Sequence, residues 1–152
     1  MRQKLLEKLR FTLTVENLSR ADQNNPILYC GVNEITRDKQ FELSPGTNDV
    51  VVEGCVYEPG NQKLTMEVKE TSEAWNTGGF IIRDLKIHGI GVGLALFQCV
   101  YFPKYDEEFY AKNKAVLTDK VISGLHIGNR GRWEWQFESP IYNNAIYKIG
   151  LW

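Results

Sequence analysis

The sequence has almost no excess of charge, because 18 lysine and arginine residues balance 19 aspartate and glutamate residues and leave a net charge of −1. Both signs are mixed along the chain, so no basic surface for nucleic-acid phosphates is indicated. A long hydrophobic run is also missing. The longest apolar stretch, Ile90 to Val100, is interrupted by Gly91, Gly93 and Gln98 and is too short to cross a bilayer. We therefore expect neither a nucleic-acid nor a membrane partner.

Cysteine and histidine are scarce, which limits metal and redox sites. Cys30, Cys55 and Cys99 are an odd number at wide spacing, with no CxxC motif. Disulfide frameworks and zinc sites need paired or closely spaced cysteines, so all three are interpreted as reduced strand or core residues. The two histidines, His88 and His126, lie far apart in the chain. No metal or other cofactor is expected.

No catalytic signature is visible. Hydrolases need two carboxylates across a cleft, or a nucleophile with a base and an orienting group. Glu67, Glu134 and Glu138 alternate with apolar residues, which is typical of the solvent-facing side of a strand. The acidic run from Asp106 to Glu108 lacks the glycine and asparagine residues that wrap a backbone round Ca²⁺, so a solvated loop is favoured. We do not expect an enzyme.

The N-terminus, MRQKLLEKLRFTL, has charges scattered among its apolar residues. It therefore lacks both the uninterrupted apolar core and the small-residue cleavage site of a signal peptide, and synthesis in a cytoplasm is expected. A chain of 152 residues is long enough to bury a core of its own. Because no repeat, low-complexity tract or linker marks a boundary, we expect one domain over residues 1–152, with a tail from about Ile141.

Alternation of apolar and polar residues is the strongest structural signal, and it predicts strands with one buried and one wet face. In the segment from Asn61 to Ile90, two such runs flank a polar loop. Near the C-terminus another run places Trp133, Trp135 and Phe137 on one side, as core residues. The predicted strands are Phe11 to Leu18, Ile27 to Asn33, Phe41 to Ser44, Val50 to Tyr57, Leu64 to Val68, Phe80 to Ile87, Leu125 to Ile127 and Arg132 to Glu138.

Two apolar segments leave more than one interpretation. Leu94 to Tyr101 is apolar nearly throughout, which suits a strand covered on both faces or a chain passing under a loop. Gly54 interrupts a β-branched run, which is compatible with a bulge. Many short strands, each followed by a turn signal, nevertheless indicate an all-β fold. We expect a β-sandwich of jelly-roll type rather than a meander, with a short C-terminal helix or extended tail.

Two surfaces are candidates for binding. A glycan platform needs flat aromatic faces together with amides, and Trp75, Asn76, Tyr101 and Tyr105 are its candidate residues. The alternative for Trp75 is a plug over one end of the sandwich. The C-terminal tail is the candidate assembly interface, because it is too apolar for a free tail and its apolar residues share one face of a short helix. The predicted interface residues are Ile141, Tyr142, Ile146, Ile149 and Trp152.

Two parts of the chain carry a resemblance to known proteins. Gly60 to Lys69, a short loop and Phe80 to Ile90 are similar to the strand pair of carbohydrate-binding-module-like jelly rolls. The closing segment, Gly128 to Tyr142, resembles the C-terminus of small β-sandwich proteins of tailed bacteriophages. The resemblance covers about half of the chain. It implies a virion component, such as a decoration, collar, baseplate or tail-fibre protein.

The expected function is therefore that of a non-enzymatic virion protein, made in the host cytoplasm, which docks on other virion proteins or on itself. The alternative is a carbohydrate-binding module that recognises a cell-surface polysaccharide through Trp75 and nearby tyrosines. The role of Trp75, as a structural plug or as a binding surface, distinguishes these two functions.

Overall fold

The computed structural model describes residues 4–18, 27–35, 40–69, 79–104, 111–112, 115, 120–127 and 131–141. In these ranges the chain forms strands joined by turns, one 3₁₀ helix, Gly93–Gln98, and two α-helical residues, 111–112. The strands, in chain order, are β1 Glu7–Asn17, β2 Ile27–Val32, β3 Gln40–Glu42, β4 Gly46–Val56, β5 Gly60–Lys69, β6 Phe80–Ile87, β7 Ile90–Gly91, β8 Cys99–Pro103, β9 Val121–Ile122, β10 His126–Ile127 and β11 Gly131–Ser139.

The strands form two antiparallel sheets that pack face to face, so the predicted all-β sandwich is confirmed. Sheet A has the order β10-β6-β1-β4, and the short β7 pairs with β6. Sheet B has the order β3-β2-β5-β11-β8-β9. The chain crosses repeatedly from one sheet to the other, whereas in a meander consecutive strands would be neighbours. The two strands of the Asn61 to Ile90 segment thus lie in opposite sheets, β5 in sheet B and β6 in sheet A.

The core lies between the sheets and follows the alternation in the sequence. In β1 the apolar residues Leu9, Phe11, Leu13 and Val15 are at most 1% exposed, while the intervening residues face solvent wholly or partly. Large rings join the two sheets across this core. Phe11 of sheet A packs against Phe137 of sheet B with ring centroids 5.4 Å apart. Such burial is the main favourable term in the stability of the domain.

The segment from Leu94 to Tyr101, which was compatible with a covered strand or with a chain under a loop, is a strand only from Cys99, because residues 93–98 form the 3₁₀ helix. Gly93 has a φ of +58°, which an extended strand cannot contain. Ala95 and Leu96 point into the core, whereas Leu94 and Phe97 are exposed. Both interpretations of this segment required that all of its side chains be buried, which is wrong for Leu94 and Phe97.

A bulge at Gly54 is also not found, because the β1–β4 register passes through the Leu9–Gly54 pair without a shift. A Cβ atom at position 54 would lie 2.3 Å from Cγ2 of Val32 on the opposite sheet. Glycine is therefore needed at this position because β2 approaches β4 closely. The irregularity lies elsewhere, between Thr14 and Val15 in the β1–β6 pairing.

Candidate functional site

Tyr101, the member of the predicted glycan platform that the structure describes, lies in the core. It belongs to β8, pairs with Val121 on one side and Trp133 on the other, and is 4% exposed. A tyrosine stacks on a sugar only through an open ring face, and this ring has none. The other three platform residues, Trp75, Asn76 and Tyr105, lie outside the described residues.

Ile141 is the described member of the predicted assembly interface, and it too is buried, at 0% exposure. Its side chain belongs to the domain's own core. Its backbone N–H donates to the carboxylate of Glu7 at 3.0 Å and 3.1 Å, and the Ser139 hydroxyl donates to the same carboxylate. Glu7 thus ties the end of β11 to the start of β1. The remaining interface residues, Tyr142, Ile146, Ile149 and Trp152, lie outside the described residues.

Replacing Glu7 by alanine is expected to lower the free energy of unfolding by about 1–3 kcal/mol, because the Ser139 hydroxyl and the Ile141 N–H lose their charged acceptor. Urea unfolding measures the change. Glu53→Ala is the matched control, since this exposed glutamate on β4 has no hydrogen bond or ion pair among the described residues. Equal losses for the two variants would show that the Glu7 contacts do not stabilise the fold.

The prediction that Trp133 and Trp135 belong to the core is confirmed, with exposures of 0% and 1%. Their indole N–H groups differ in partner. That of Trp135 donates to the carbonyl of Ala95 in the 3₁₀ helix at 2.8 Å. That of Trp133 has no partner that meets hydrogen-bond geometry among the described residues, although it lies close enough to the sulfur of Cys99 to favour the thiolate weakly against the effect of burial.

The carboxylates in the described part of the chain form no cluster of the kind that holds a metal ion. No group of three histidine, cysteine, aspartate or glutamate residues lies close enough there to hold a metal ion. Glu134, expected on a solvent-facing surface, is 8% exposed and forms ion pairs with Arg132 at 3.0 Å and Lys63 at 3.7 Å. His88 and His126 are exposed, and the run Asp106 to Glu108 lies outside the described residues.

The three thiols differ in accessibility. Burial raises the pKa of Cys30 to about 12, and burial is also the main cause that raises the pKa of Cys99. Both sulfurs therefore stay protonated and covered at neutral pH. Cys55, on the outer side of β4, is exposed. No disulfide joins the three residues.

An apolar patch, formed by Leu94, Phe97 and Ile122, lies on the outside of the domain. Leu94 is 82% exposed, Phe97 51% and Ile122 65%. Residues three apart in a 3₁₀ helix lie on one side of it, so Leu94 and Phe97 project together. The hydroxyl of Ser123 donates to the Phe97 carbonyl and its N–H to the Cys99 carbonyl at 2.8 Å. These bonds hold Ile122, the neighbour of Ser123, beside the helix.

Sequence reasoning missed this patch because an apolar run is normally interpreted as core. Two signals could have revealed it. Gly93 interrupts the strand pattern, and Leu94 and Phe97 are spaced by three residues rather than by two. What the sequence could not show is that Ala95 and Leu96 would take the buried positions between them.

A second feature is a polar cleft of about 400 Å³ at the seam between the sheets, where the end of β4 and the turn after it meet β2 and β5. We call it the seam cleft. It was not predicted, because its residues are close only after the two sheets pack. Besides Pro59, the residues that line it are Asn33, Cys55, Tyr57, Glu58, Asn61 and Gln62.

No helix among the described residues is long and apolar enough to span a membrane. Comparison of the chain with protein-family models, with curated proteins and with solved structures finds no match.

Proposed function

We propose that this protein is a non-enzymatic docking module, a structural component of a bacteriophage virion. The observation that carries the docking function is the apolar patch. Its residues are more exposed than large apolar side chains usually are in a sandwich, and grouped exposed apolar side chains are typical of protein interaction sites. The patch stands on the 3₁₀ helix and the edge strand β9, away from the packed interior.

The virion assignment is supported by the sequence resemblance alone, which suggests a decoration, collar, baseplate or tail-fibre protein. Its partners would be other virion proteins or further copies of the chain. The non-enzymatic part of the proposal rests on the lack of a catalytic motif in the sequence. The docking function requires that a surface of this domain be covered after assembly.

Replacing Leu94 and Phe97 together by serine is expected to weaken self-association, or incorporation into particles, by about tenfold or more, because central apolar anchors dominate interface energies. Sedimentation velocity of the purified protein and mass spectrometry of purified particles measure the two effects. The matched control is Leu5→Ser, which removes an apolar side chain that is 49% exposed and lies outside the patch. A wild-type chain that stays monomeric and is missing from particles would refute the proposal.

A further inference from the structure

On one side of the seam cleft, hydrogen bonds within the protein fix the side chains in place. The side-chain N–H of Asn33 donates to Oε1 of Gln62 at 2.7 Å, and the backbone N–H of Lys63 donates to Oδ1 of Asn33 at 3.0 Å. The amide of Gln62 donates in turn to the Glu58 carbonyl at 2.8 Å. Gln62 is only 8% exposed. Because these bonds fix the amide groups, a ligand would lose little free energy in ordering this side of the cleft.

The groups left open in the cleft are suited to a cation. Tyr57 is 47% exposed and offers an aromatic ring. The carboxylate of Glu58 has no ion pair among the described residues, and neither lysine nor arginine lines the cleft. An arginine side chain matches this set, because its guanidinium pairs with a carboxylate and stacks on an aromatic ring.

The surrounding sequence extends this negative character. From Gln40 to Gln62 the chain contains no lysine, arginine or histidine, although it has 18 lysine and arginine residues in all. The same segment carries four acidic residues, of which Glu53 and Glu58 lie toward the cleft, whereas Glu42 on β3 and Asp49 near the start of β4 lie away from it. Glu53 lies opposite Arg10 on β1 in the register, without an ion pair between the two side chains. Glu58, beyond the end of the β1–β4 pairing, has no such neighbour in the register.

The cleft also lies at an open sheet edge. Within the described residues β4 is the last strand of sheet A and pairs only with β1. In the described part of the chain, alternate N–H and C=O groups on its outer side are not paired with a further strand. Cys55, on the same strand, lines the cleft. A strand added along β4 would consequently pass over the cleft and could place a side chain in it.

From these observations we propose that the seam cleft and the outer edge of β4 bind an extended cationic segment of a partner protein. The segment would pair its backbone with β4 and place an arginine or lysine side chain between Tyr57 and Glu58. This inference rests on the proposed docking function and adds a second surface to it. The two surfaces are separable, because β9 of the patch and β2 of the cleft lie toward opposite edges of sheet B.

The test is the binding of a fluorescently labelled peptide that alternates arginine and threonine, followed by anisotropy. Glu58→Gln and Tyr57→Ala are each expected to weaken binding by about tenfold, the loss of one charge-assisted contact or one aromatic anchor. Both side chains are exposed, so circular dichroism should show an unchanged fold. Cys55 supplies an independent measurement, because a bound peptide should slow its alkylation while the buried Cys30 and Cys99 stay unreactive.

Three controls define the outcome. Glu42→Gln also removes one negative charge. Because Glu42 pairs with Ile27, at the other end of β2 from Asn33, this variant should bind the peptide as the wild type does. A peptide alternating glutamate and threonine should not bind. The arginine peptide with alternate amides N-methylated should bind more weakly, because it cannot donate to β4. Leu94→Ser should leave peptide binding unchanged, so a failure of the patch and a failure of the cleft are distinguishable.

Several results would overturn the proposal. Unchanged affinity in Glu58→Gln, or an equal loss in Glu42→Gln, would mean that the peptide does not use the cleft. Failure of the arginine peptide to bind or to protect Cys55 would exclude the cationic segment. A glycan array that detects binding by the wild type but not by Tyr57→Ala, without peptide binding, would make the cleft a saccharide site instead.

Discussion

Replacing Gly131 by alanine is expected to lower the free energy of unfolding by about 3–5 kcal/mol, a large part of the stability of a domain of this size. Gly131 has a φ of +150° and pairs with Pro103 at the start of β11. A Cβ atom there would lie 2.2 Å from the carbonyl oxygen of Phe102 and 3.0 Å from Cα of Pro103. Because both atoms belong to the backbone, β8 and β11 would have to separate.

Gly60→Ala is the control for Gly131→Ala, measured by urea unfolding and by thermal unfolding. Gly60 also has a positive φ, +109°, but a Cβ atom there would meet nothing within 4 Å. Its replacement should therefore show the conformational strain alone, about 1–2 kcal/mol. If the two variants lose the same stability, the contact with Phe102 is relieved by a small shift and the steric argument is wrong.

Replacing Trp135 by alanine is expected to lower the free energy of unfolding by about 3–5 kcal/mol, because a large buried ring leaves a cavity. The ring stacks on Phe137 with centroids 5.8 Å apart, and its N–H holds the carbonyl of Ala95. The loss of this bond should also loosen the 3₁₀ helix that presents Leu94 and Phe97. We therefore expect weaker assembly of the variant even at temperatures where it remains folded.

Replacing each core tryptophan by phenylalanine distinguishes the contribution of the hydrogen bond to stability from the contribution of packing. Trp135→Phe removes part of the ring and also the bond to Ala95, whereas Trp133 has no hydrogen bond to lose. Trp135→Phe should thus be less stable than Trp133→Phe by about 1 kcal/mol. Equal stabilities, measured by urea unfolding, would mean that the bond to Ala95 contributes nothing net.

Much of the fold could be predicted because sandwich strands carry their burial pattern in alternate residues. The runs containing Phe11, Leu64, Phe80 and Trp133 all lie in observed strands. Gly131, at the start of β11, adopts a positive φ, a conformation that glycine tolerates. The 3₁₀ helix could not be predicted in this way. An apolar segment has no period when both its buried and its exposed residues are apolar, as they are from Leu94 to Phe97.

The proposed binding surfaces could not be predicted as well from the sequence. Apart from Asn76, the residues chosen as candidates were aromatic or lay in the apolar tail. The two of them that the structure describes, Tyr101 and Ile141, are packed inside the domain. Aromatic and branched side chains do not reveal by their type whether a neighbouring sheet will cover them. The residues that bound the seam cleft are ordinary turn and strand-end residues in the sequence, such as Asn33 and Asn61.

The sequence by itself determined that this protein is an all-β sandwich with a mixed, nearly neutral surface. Those properties depend on local periodicity and on composition, which are known without any knowledge of the tertiary contacts. The tertiary structure alone decided that Val32 closes over Gly54, that Leu94 and Phe97 remain outside, and that Asn33 and Glu58 face one cleft. These contacts join residues of different strands, so they exist only once the two sheets have packed together.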